Sequence, residues 1–365
     1  MAILATLPSV SVVIACHTDK REKLLARAVH SVLEQRPKAL EVIVVVDHNP
    51  SLLENLQARL SGGLPGASED PAPSDAPRVV VLPNRSRRGA SGARNTGAAA
   101  AGGELVAFLD DDAAARPGWL AALVAALAHP GVIGAGGLVK ADWASGQPGW
   151  FPGEFGWVVG ATYDGAPTRL RPVRNGWAEN MIVRRADFEA VDGFRAGFGK
   201  LGAHSRPEDT DLCIRMQTAG GRWLFQPAAV VTHHVPAERA TTGFFLRRCW
   251  HEGRGKAELA RLLPDPRAAH TEEGTYLRRV LPRGLARHLG RFLRTGRAHH
   301  LARATMLVAG LGATIAGYGW QRVVDRRSPA ARPVARLENG RENGREIELE
   351  DGLEDGLDDG LATAS

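Results

Sequence analysis

Four short apolar runs that alternate with helical patterns constrain the fold of this chain more than any other feature of its sequence. The runs are 10–15, 41–46, 78–82 and 105–109, and each is rich in Val, Ile or Leu. Between the first two, residues 22–35 place apolar side chains at the spacing of an amphipathic helix. Strands that alternate with helices predict a parallel sheet with helices on both faces. We therefore expect an α/β fold with a doubly wound, mostly parallel sheet.

Three consecutive carboxylates, Asp110, Asp111 and Asp112, follow the fourth apolar run. They would repel one another strongly without compensating positive charge. Ligands of doubly wound sheets bind at the carboxyl ends of the strands, which is where these acids are expected. A divalent cation, Mg²⁺ or Mn²⁺, with a phosphate among its ligands would explain the cluster. A solvated acidic turn that caps the next helix is the simpler alternative.

Charge is distributed unevenly along the chain. The formal net charge is +6, but residues 338–365 contain ten acids and two arginines, so the rest of the chain carries +14. A strongly basic body predicts an anionic partner, such as a nucleotide or an anionic membrane. Nucleic acid is disfavoured because the sequence contains no helix-turn-helix, zinc-finger or ribonucleoprotein-type signature.

The cysteines and the N-terminus indicate the compartment. Cys16, Cys213 and Cys249 are an odd number and have no metal-like spacing. The first residues lack the charged-then-apolar pattern of a signal peptide. We therefore expect a protein of the reducing cytosol.

The C-terminal third changes in character. Eight arginines lie between 278 and 303 with no acid among them, and leucines at helical spacing occupy another face. Such a basic amphipathic helix predicts contact with anionic lipid, although a helix packed on the protein with its arginines in water is an equal alternative. Residues 304–320 are apolar but short for a membrane span, so we expect a re-entrant, interfacial or protein-packed helix. These features predict a cytoplasmic protein that is peripheral at the inner face of the cell membrane.

Composition divides the chain into three predicted parts. The α/β domain covers 8–262, and a basic and apolar helical segment that associates with the membrane covers 270–327. The tail, 328–365, is too charged and too rich in glycine to fold alone, so we expect it to be disordered. Residues 61–77 are rich in Gly, Pro, Ser and Asp and predict a flexible surface loop.

Two further motifs carry candidate chemistry. Glu208 and Asp209 open a predicted helix directly after Pro207. They supply a candidate general base at the cleft, or they simply cap the helix. His233 follows an apolar run and is a candidate metal ligand, although a lone histidine is more often structural.

A glycine-rich segment, 89–95, follows a group of arginines and precedes a predicted helix. Glycines let the backbone approach a ligand closely, and a helix N-terminus attracts phosphate, so the segment predicts a nucleotide site. The Gly-Lys-Ser/Thr ending of a Walker loop is missing, and no dinucleotide fingerprint follows the first strand. A Rossmann dehydrogenase is therefore disfavoured.

Taken in order, six motifs across residues 8–260 resemble the inverting family 2 glycosyltransferases of the GT-A fold. The motifs are the strand 10–15, Val46-Asp47-His48-Asn49-Pro50-Ser51, Gly92-Ala93-Arg94-Asn95-Thr96-Gly97, Asp110-Asp111-Asp112, Glu208-Asp209-Thr210-Asp211-Leu212 and His233 before Val235-Pro236. Within the family the chain resembles the bacterial branch near the glucosyl-dolichyl-phosphate glucuronosyltransferases. Three segments carry this second resemblance: Trp150-Phe151-Pro152, Trp157-Val158-Val159-Gly160 and Arg248-Cys249-Trp250-His251-Glu252-Gly253.

The resemblance implies a nucleotide site. Asp47 would meet the base of the donor, Arg94 and Asn95 would line the site, and Asp110 or Asp111 would hold the ribose. Many relatives have Pro and an aromatic residue just after the first strand. This chain has Ala15-Cys16-His17-Thr18 there, with Ala15 and His17 as the candidate contacts to the base.

The resemblance also implies a metal site and a catalytic base. Asp112 would bind the divalent cation, Mg²⁺ or Mn²⁺, with Asp110 and His233 as further ligands. Asp209 would deprotonate the acceptor hydroxyl, and Glu208 is the alternative base.

The reaction implied is transfer of a sugar from a nucleoside-diphosphate sugar, with UDP as the expected carrier, to a polyprenyl-linked or other cell-envelope saccharide. Two alternatives remain. A sugar-phosphate nucleotidyltransferase shares such a sheet and acidic site, but it usually has a glycine- and lysine-rich loop after the first strand, which is absent here. A non-catalytic protein that binds carbohydrate or a lipid surface would have no need of the four acids.

Overall fold

The structure, a computed structural model, describes residues 7–61, 76–196, 198–201, 204–263 and 274–327. The predicted acidic tail and most of the predicted loop at 61–77 lie outside the described residues.

Eleven strands are described. Nine belong to one sheet, and the other two form a separate hairpin. The strands are β1 (Val10–Cys16), β2 (Glu41–Val46), β3 (Arg78–Pro83), β4 (Leu105–Asp110), β5 (Ala113–Ala115), β6 (Val132–Trp143), β7 (Arg171–Val173), β8 (Asn180–Arg184), β9 (Gly199–Leu201), β10 (His204–Arg206) and β11 (Arg222–Val235).

Nine α-helices are described, and a π-helical turn, Tyr276–Val280, precedes the eighth. The helices are α1 (Glu22–Leu33), α2 (Pro50–Ser61), α3 (Ala90–Ala100), α4 (Trp119–Leu127), α5 (Arg185–Glu189), α6 (Glu208–Thr218), α7 (Thr242–Leu262), α8 (Leu281–Thr295) and α9 (Ala298–Arg327).

The main sheet has the order β3-β2-β1-β4-β8-β6-β11-β5, and β7 pairs with β11. Strands β1 to β4 are parallel to one another, and β6 is parallel to β11. Strand β8 runs antiparallel to both β4 and β6. The predicted mostly parallel sheet is therefore confirmed, with one reversed strand in its middle.

The register brings distant segments to one edge of the sheet. Ala15 pairs with Asp110, so the carboxyl ends of β1 and β4 coincide. Because β8 is reversed, it begins at this edge, with Asn180 opposite the penultimate residue of β4. Strand β11 pairs His233 with Ala113 just beyond the acidic triplet. Residues far apart in sequence thus meet at the end of β4.

Asn180 ties this edge together from inside. Its side-chain amide nitrogen donates to the carbonyls of Leu138 and Ala229, at 3.0 Å each. Its Oδ1 accepts from the indole nitrogen of Trp119 at 2.8 Å. Both Asn180 and Trp119 are fully buried. These bonds join three strands and α4, and they satisfy polar groups that water cannot reach.

Hydrophobic clusters cover both faces of the sheet. On one face α1 and α4 pack Leu25, Val32 and Leu123 against the strands. On the other, Phe108 contacts two further buried aromatic rings, Phe188 and Phe194, at centroid distances of 5.6 and 5.3 Å. Helices on both faces were predicted from the alternating pattern, and they are present.

The Trp-, Gly- and Pro-rich middle third combines irregular and regular structure. Irregular stretches occur at 144–152 and 160–170. The sheet strands β6 and β8 also come from this region, and Gly153–Val159 forms a 3₁₀ segment.

The C-terminal helices pack on the α/β domain. Leu281 and Leu307 join a cluster with Phe155 and Phe245. Among the described residues, α9 is the one helix long and apolar enough to cross a membrane, judged by length and composition alone.

Candidate active site

Arg94, on α3, lies between two of the predicted acids. Its guanidinium group donates to Asp110 Oδ1 at 2.7 Å and to Glu208 Oε1 at 3.4 Å. The side chain is only 7% exposed. Burial alone would lower the pKa of Arg94, but Asp110, Asp209 and Glu208 outweigh it and raise that pKa. Through these ion pairs Arg94 links the carboxyl end of β4 to the start of α6.

Asp209 lies beside this pair at the start of α6. Its Oδ1 is shielded from solvent and has no hydrogen-bond partner among the described residues. Loss of hydration, then the charge of Glu208, raise the pKa of Asp209 well above its ordinary value, although Arg94 opposes the shift. A shielded carboxyl oxygen with an elevated pKa is a good proton acceptor, which is the property that a general base needs.

Asp112 has a different partner on each oxygen. Its Oδ1 is 3.2 Å from His233 Nε2, and its Oδ2 is 2.9 Å from a guanidinium nitrogen of Arg21. Burial disfavours the charged form, but His233 and Arg21 outweigh it and lower the pKa of Asp112 to about 2. Burial alone would lower the pKa of His233, but Asp112 and Glu179 outweigh it and raise that pKa to about 9.

Asp111 points inward. Its Oδ1 accepts from Arg21 at 3.0 Å, and its shielded Oδ2 has no partner among the described residues. Burial raises the pKa of Asp111 to about 6, with Asp112 adding to the shift and Arg21 opposing it. Asp111 thus contributes to charge balance within the protein, and its contact with a ribose stays a prediction.

The fit of a divalent cation depends on Asp112 and His233. No group of three His, Cys, Asp or Glu side chains in the described ranges is arranged to hold a metal ion. However, bonds of about 2.1 Å place two neighbouring ligands of an octahedral ion about 3 Å apart, close to the separation of Asp112 Oδ1 and His233 Nε2. A carboxylate oxygen such as that of Asp112 suits Mg²⁺ or Mn²⁺. The pair therefore fits a cation that takes its remaining ligands from substrate and water.

Sequence reasoning missed three charged residues of this site: Arg21, Glu179 and Arg239. Glu179 directly precedes β8, and loss of hydration raises its pKa to about 8, with Asp110 and Asp112 adding to the shift. Arg239 follows β11. Burial lowers the pKa of Arg239, and the negative charges of Asp112, Glu179 and Asp110 oppose that shift. Single charged residues next to strands carry no sequence signal, so only the strand order reveals them.

Gly160 gives the acidic centre its space. It has a φ of +70°, which favours glycine. A Cβ atom there would lie 2.8 Å from His233 Cε1 and 3.0 Å from Glu179 Oε2. Any side chain at this position would displace His233 or Glu179.

Asp47, at the end of β2, is saturated with hydrogen bonds. Its Oδ1 accepts from Asn84 at 2.6 Å and contacts the His48 imidazole at 2.9 Å. Its Oδ2 accepts from the backbone amide of Gly89 at 2.8 Å. Burial opposes ionisation, but these bonds outweigh it and hold the pKa of Asp47 below its ordinary value. Asp47 thus fixes the glycine-rich segment, and its contact with a nucleotide base stays a prediction.

The other predicted nucleotide contacts lie around the same edge. Asn95 donates to the carbonyl of Phe194 at 2.7 Å and accepts from the amide of Phe194 at 2.9 Å, so its side chain fixes a loop. Ala15, near the end of β1, pairs with Asp110 in the sheet, and the side chain of His17 is exposed. Of the predicted residues, the structure joins Arg94, Asp110 and Glu208 directly, whereas the hydrogen bonds of Asp47 and Asn95 described above go to other residues.

Similarity to known proteins assigns the family. A glucosyl-dolichyl phosphate glucuronosyltransferase of Haloferax volcanii is 30% identical over 275 residues, which are 74% of this chain and 83% of that protein. The chain belongs to glycosyltransferase family 2. The family description "Glycosyl transferase family 2" matches residues 11–192, which include the acidic triplet and the glycine-rich segment.

Two further proteins are similar to this chain, one in sequence and one in fold. A succinoglycan biosynthesis protein of Rhizobium meliloti is 31% identical over 160 residues, 43% of this chain and 48% of that protein. A solved mannosyltransferase of Pyrobaculum calidifontis, in complex with GDP-mannose and Mn²⁺, is similar in fold with a TM-score of 0.53 and 19% identity. The similarity covers 87% of this chain and 89% of that one, and it confirms the expected GT-A type fold.

Proposed function

We propose that this family 2 glycosyltransferase inverts the anomeric centre of a sugar that it takes from a nucleoside-diphosphate donor. The observation that carries the proposal is Asp209 Oδ1, which is shielded, unpartnered among the described residues and raised in pKa. An acceptor hydroxyl is the partner that this oxygen lacks. Beside it, at the end of β4, Asp110 and Asp112 pair with Arg94 and Arg21, and this concentration of charge supports a donor with a charged leaving group.

In this reaction Asp209 takes the proton of the acceptor hydroxyl while the acceptor oxygen forms its bond to the anomeric carbon. The bond from that carbon to the diphosphate breaks, and its electron pair leaves with the nucleoside diphosphate. Because both events occur on opposite sides of one carbon, the configuration inverts. Arg94 holds Glu208 and Asp110 in place, so that Asp209 keeps its orientation at the start of α6.

Asp112 and His233, with Asp110 nearby, would hold the divalent cation. When bound, Mg²⁺ or Mn²⁺ supplies positive charge to the leaving diphosphate. The donor that we propose is UDP-linked, and we propose contacts from Ala15, His17, Asp47, Arg94, Asn95, Asp110 and Asp111 to its nucleotide.

We also propose that the acceptor is a lipid-linked or cell-envelope saccharide and that the protein works at the inner face of the cell membrane. The Haloferax relative is named for a glucosyl-dolichyl phosphate acceptor, and the Rhizobium relative for succinoglycan biosynthesis. The arginine-rich C-terminal helices support a membrane location.

Asp209→Asn tests the catalytic assignment. Transfer should fall by about a hundred- to ten-thousand-fold, because a general base contributes that much, while nucleotide binding stays nearly unchanged. Glu189→Gln, an exposed acid on α5, is the matched control and should leave transfer unchanged. Loss of both binding and transfer in Asp209→Asn would make Asp209 structural and overturn the proposal.

Calorimetric titration with UDP, GDP and dTDP, each with Mn²⁺, Mg²⁺ or EDTA, tests the donor class. We expect binding of one nucleoside diphosphate that requires the metal and is lost in Asp112→Ala. Binding that survives EDTA and Asp112→Ala would refute the metal site, and binding of none of the three would refute the donor class.

A further inference from the structure

Exposed apolar side chains are concentrated on the two C-terminal helices. Twelve large hydrophobic side chains are exposed in the described part of the chain, and most of them lie on α8 or α9. Those on the two helices are Leu289, Leu293, Leu301, Val308, Ile315, Trp320 and Val323. Single exposed apolar residues are normal on a protein surface, but such a concentration marks an interaction site.

On α9 these side chains form an uncharged stripe. The exposed positions between Leu301 and Trp320 are 301, 305, 308, 312, 315, 316, 319 and 320, and none is charged. They recur every three or four residues, so they share one side of the helix. At 1.5 Å per residue the stripe is about 28 Å long. Val308 and Ile315, near its middle, are 60% and 62% exposed.

On α8 the apolar and basic side chains lie on different sides. With 100° between successive residues, Arg283, Arg291 and Arg294 lie about a third of a turn away from Leu289 and Leu293. The three arginines are exposed and have no ion pair among the described residues. Leu293 is 82% exposed. The third side of α8 packs Leu281, Gly284 and His288 on the protein.

We propose that α8 and α9 lie flat on an anionic lipid surface. The apolar stripe of α9 and the two leucines of α8 would enter the boundary between headgroups and acyl chains, and the arginines would meet the anionic headgroups. Charge complementarity identifies the occupant, because residues 278–303 contain eight arginines and no acid. Trp320, near the end of the stripe, is a side chain that favours the interface.

The packing of α9 on α7 argues against a membrane span. A Cβ atom on Gly317 would lie 2.1 Å from the carbonyl oxygen of Trp250, and one on Gly253 would lie 2.0 Å from that of Thr314. The two helices therefore touch backbone to backbone. Helix α7 carries charged residues, including the pair Arg248–Glu252. If α9 crossed a bilayer it would have to leave α7 or take these charges with it, and both are unfavourable.

Binding of the purified full chain to vesicles tests the proposal. We expect binding to phosphatidylcholine vesicles that contain phosphatidylglycerol, weaker binding to phosphatidylcholine alone, and weakening by salt. Val308→Asp with Ile315→Asp should reduce binding at least about tenfold, because charged side chains would replace inserted apolar ones. Arg291→Gln with Arg294→Gln should reduce it about 25-fold, since each surface arginine contributes roughly fivefold.

Leu40→Asp is the matched control, because Leu40 is 49% exposed at the opposite, amino-terminal edge of the sheet. It should bind vesicles like the unaltered protein. If both double variants bound the vesicles as tightly as the unaltered protein, the proposal would be refuted. Two other occupants give distinct results: a dimer that the Val308/Ile315 variant abolishes indicates a second copy, and resistance to carbonate extraction indicates a span. The assay needs no donor, so this surface and the proposed reaction can fail separately.

Discussion

Arg94→Met would test how strongly charge holds the site together. The guanidinium group lies between Asp110 and Glu208, with Asp209 close by, and its carbon Cζ is 5.5 Å from the centre of the Phe194 ring. Methionine keeps much of the apolar length of the side chain but removes the charge. The substitution thus isolates the electrostatic contribution of Arg94.

The expected cost follows from burial. Removing one partner of a buried ion pair costs about 3–5 kcal/mol, because the remaining charge is left uncompensated. The side chains of Asp110 and Glu208 are 30% and 20% exposed, so water partly solvates them. We therefore expect a smaller loss, about 2–3 kcal/mol in the free energy of unfolding. For a domain of this size that lowers the Tm by roughly 5–10 °C.

Urea unfolding at neutral pH measures this loss. Arg27→Met is the control: Arg27 pairs with Asp142 at 3.1 Å, but the side chains are 42% and 47% exposed. That pair should contribute less than about 1 kcal/mol. A loss below 1 kcal/mol for Arg94→Met, or equal losses for both variants, would contradict the reasoning.

Three further outcomes are expected. Asn180→Ala should lower the free energy of unfolding by about 3 kcal/mol in a denaturant titration, because it leaves a buried indole and two buried carbonyls without partners. Gly317→Val should lower it by about 1–3 kcal/mol through a clash with the backbone of α7, whereas Gly319→Val, which meets no neighbour, should have little effect. In a pH–rate profile, activity should rise with pH through a pKa well above 3.8, that of Asp209, and a limb near 3.8 would refute its role as the base.

The sequence predicted those parts of the fold that have a local signature. Strands such as 41–46 are continuous apolar runs, and 22–35 has the spacing of an amphipathic helix, so both were recognisable. The position of the acids at the end of β4 followed from the general rule for doubly wound sheets. These predictions needed no knowledge of which segments meet in space.

The parts that the sequence did not predict depend on long-range pairing. Strand β8 is short, and nothing in 180–184 indicates that it runs antiparallel between β4 and β6. That reversal is what brings Glu179 to the acidic edge. Arg21 belongs to a 3₁₀ turn after β1, where an exposed arginine is the ordinary expectation, yet it reaches both Asp111 and Asp112.

The acidic triplet shows why local sequence patterns do not predict the contacts within the site. As a cluster, three adjacent carboxylates predict one shared cation, but the three side chains separate as they leave the strand. Asp110 meets Arg94, 16 residues earlier, and Asp111 meets Arg21, 90 residues earlier. Asp112 shares Arg21 and meets His233 from β11. The repulsion is therefore relieved inside the protein, and the stability of the triplet does not require the metal that we propose at Asp112 and His233.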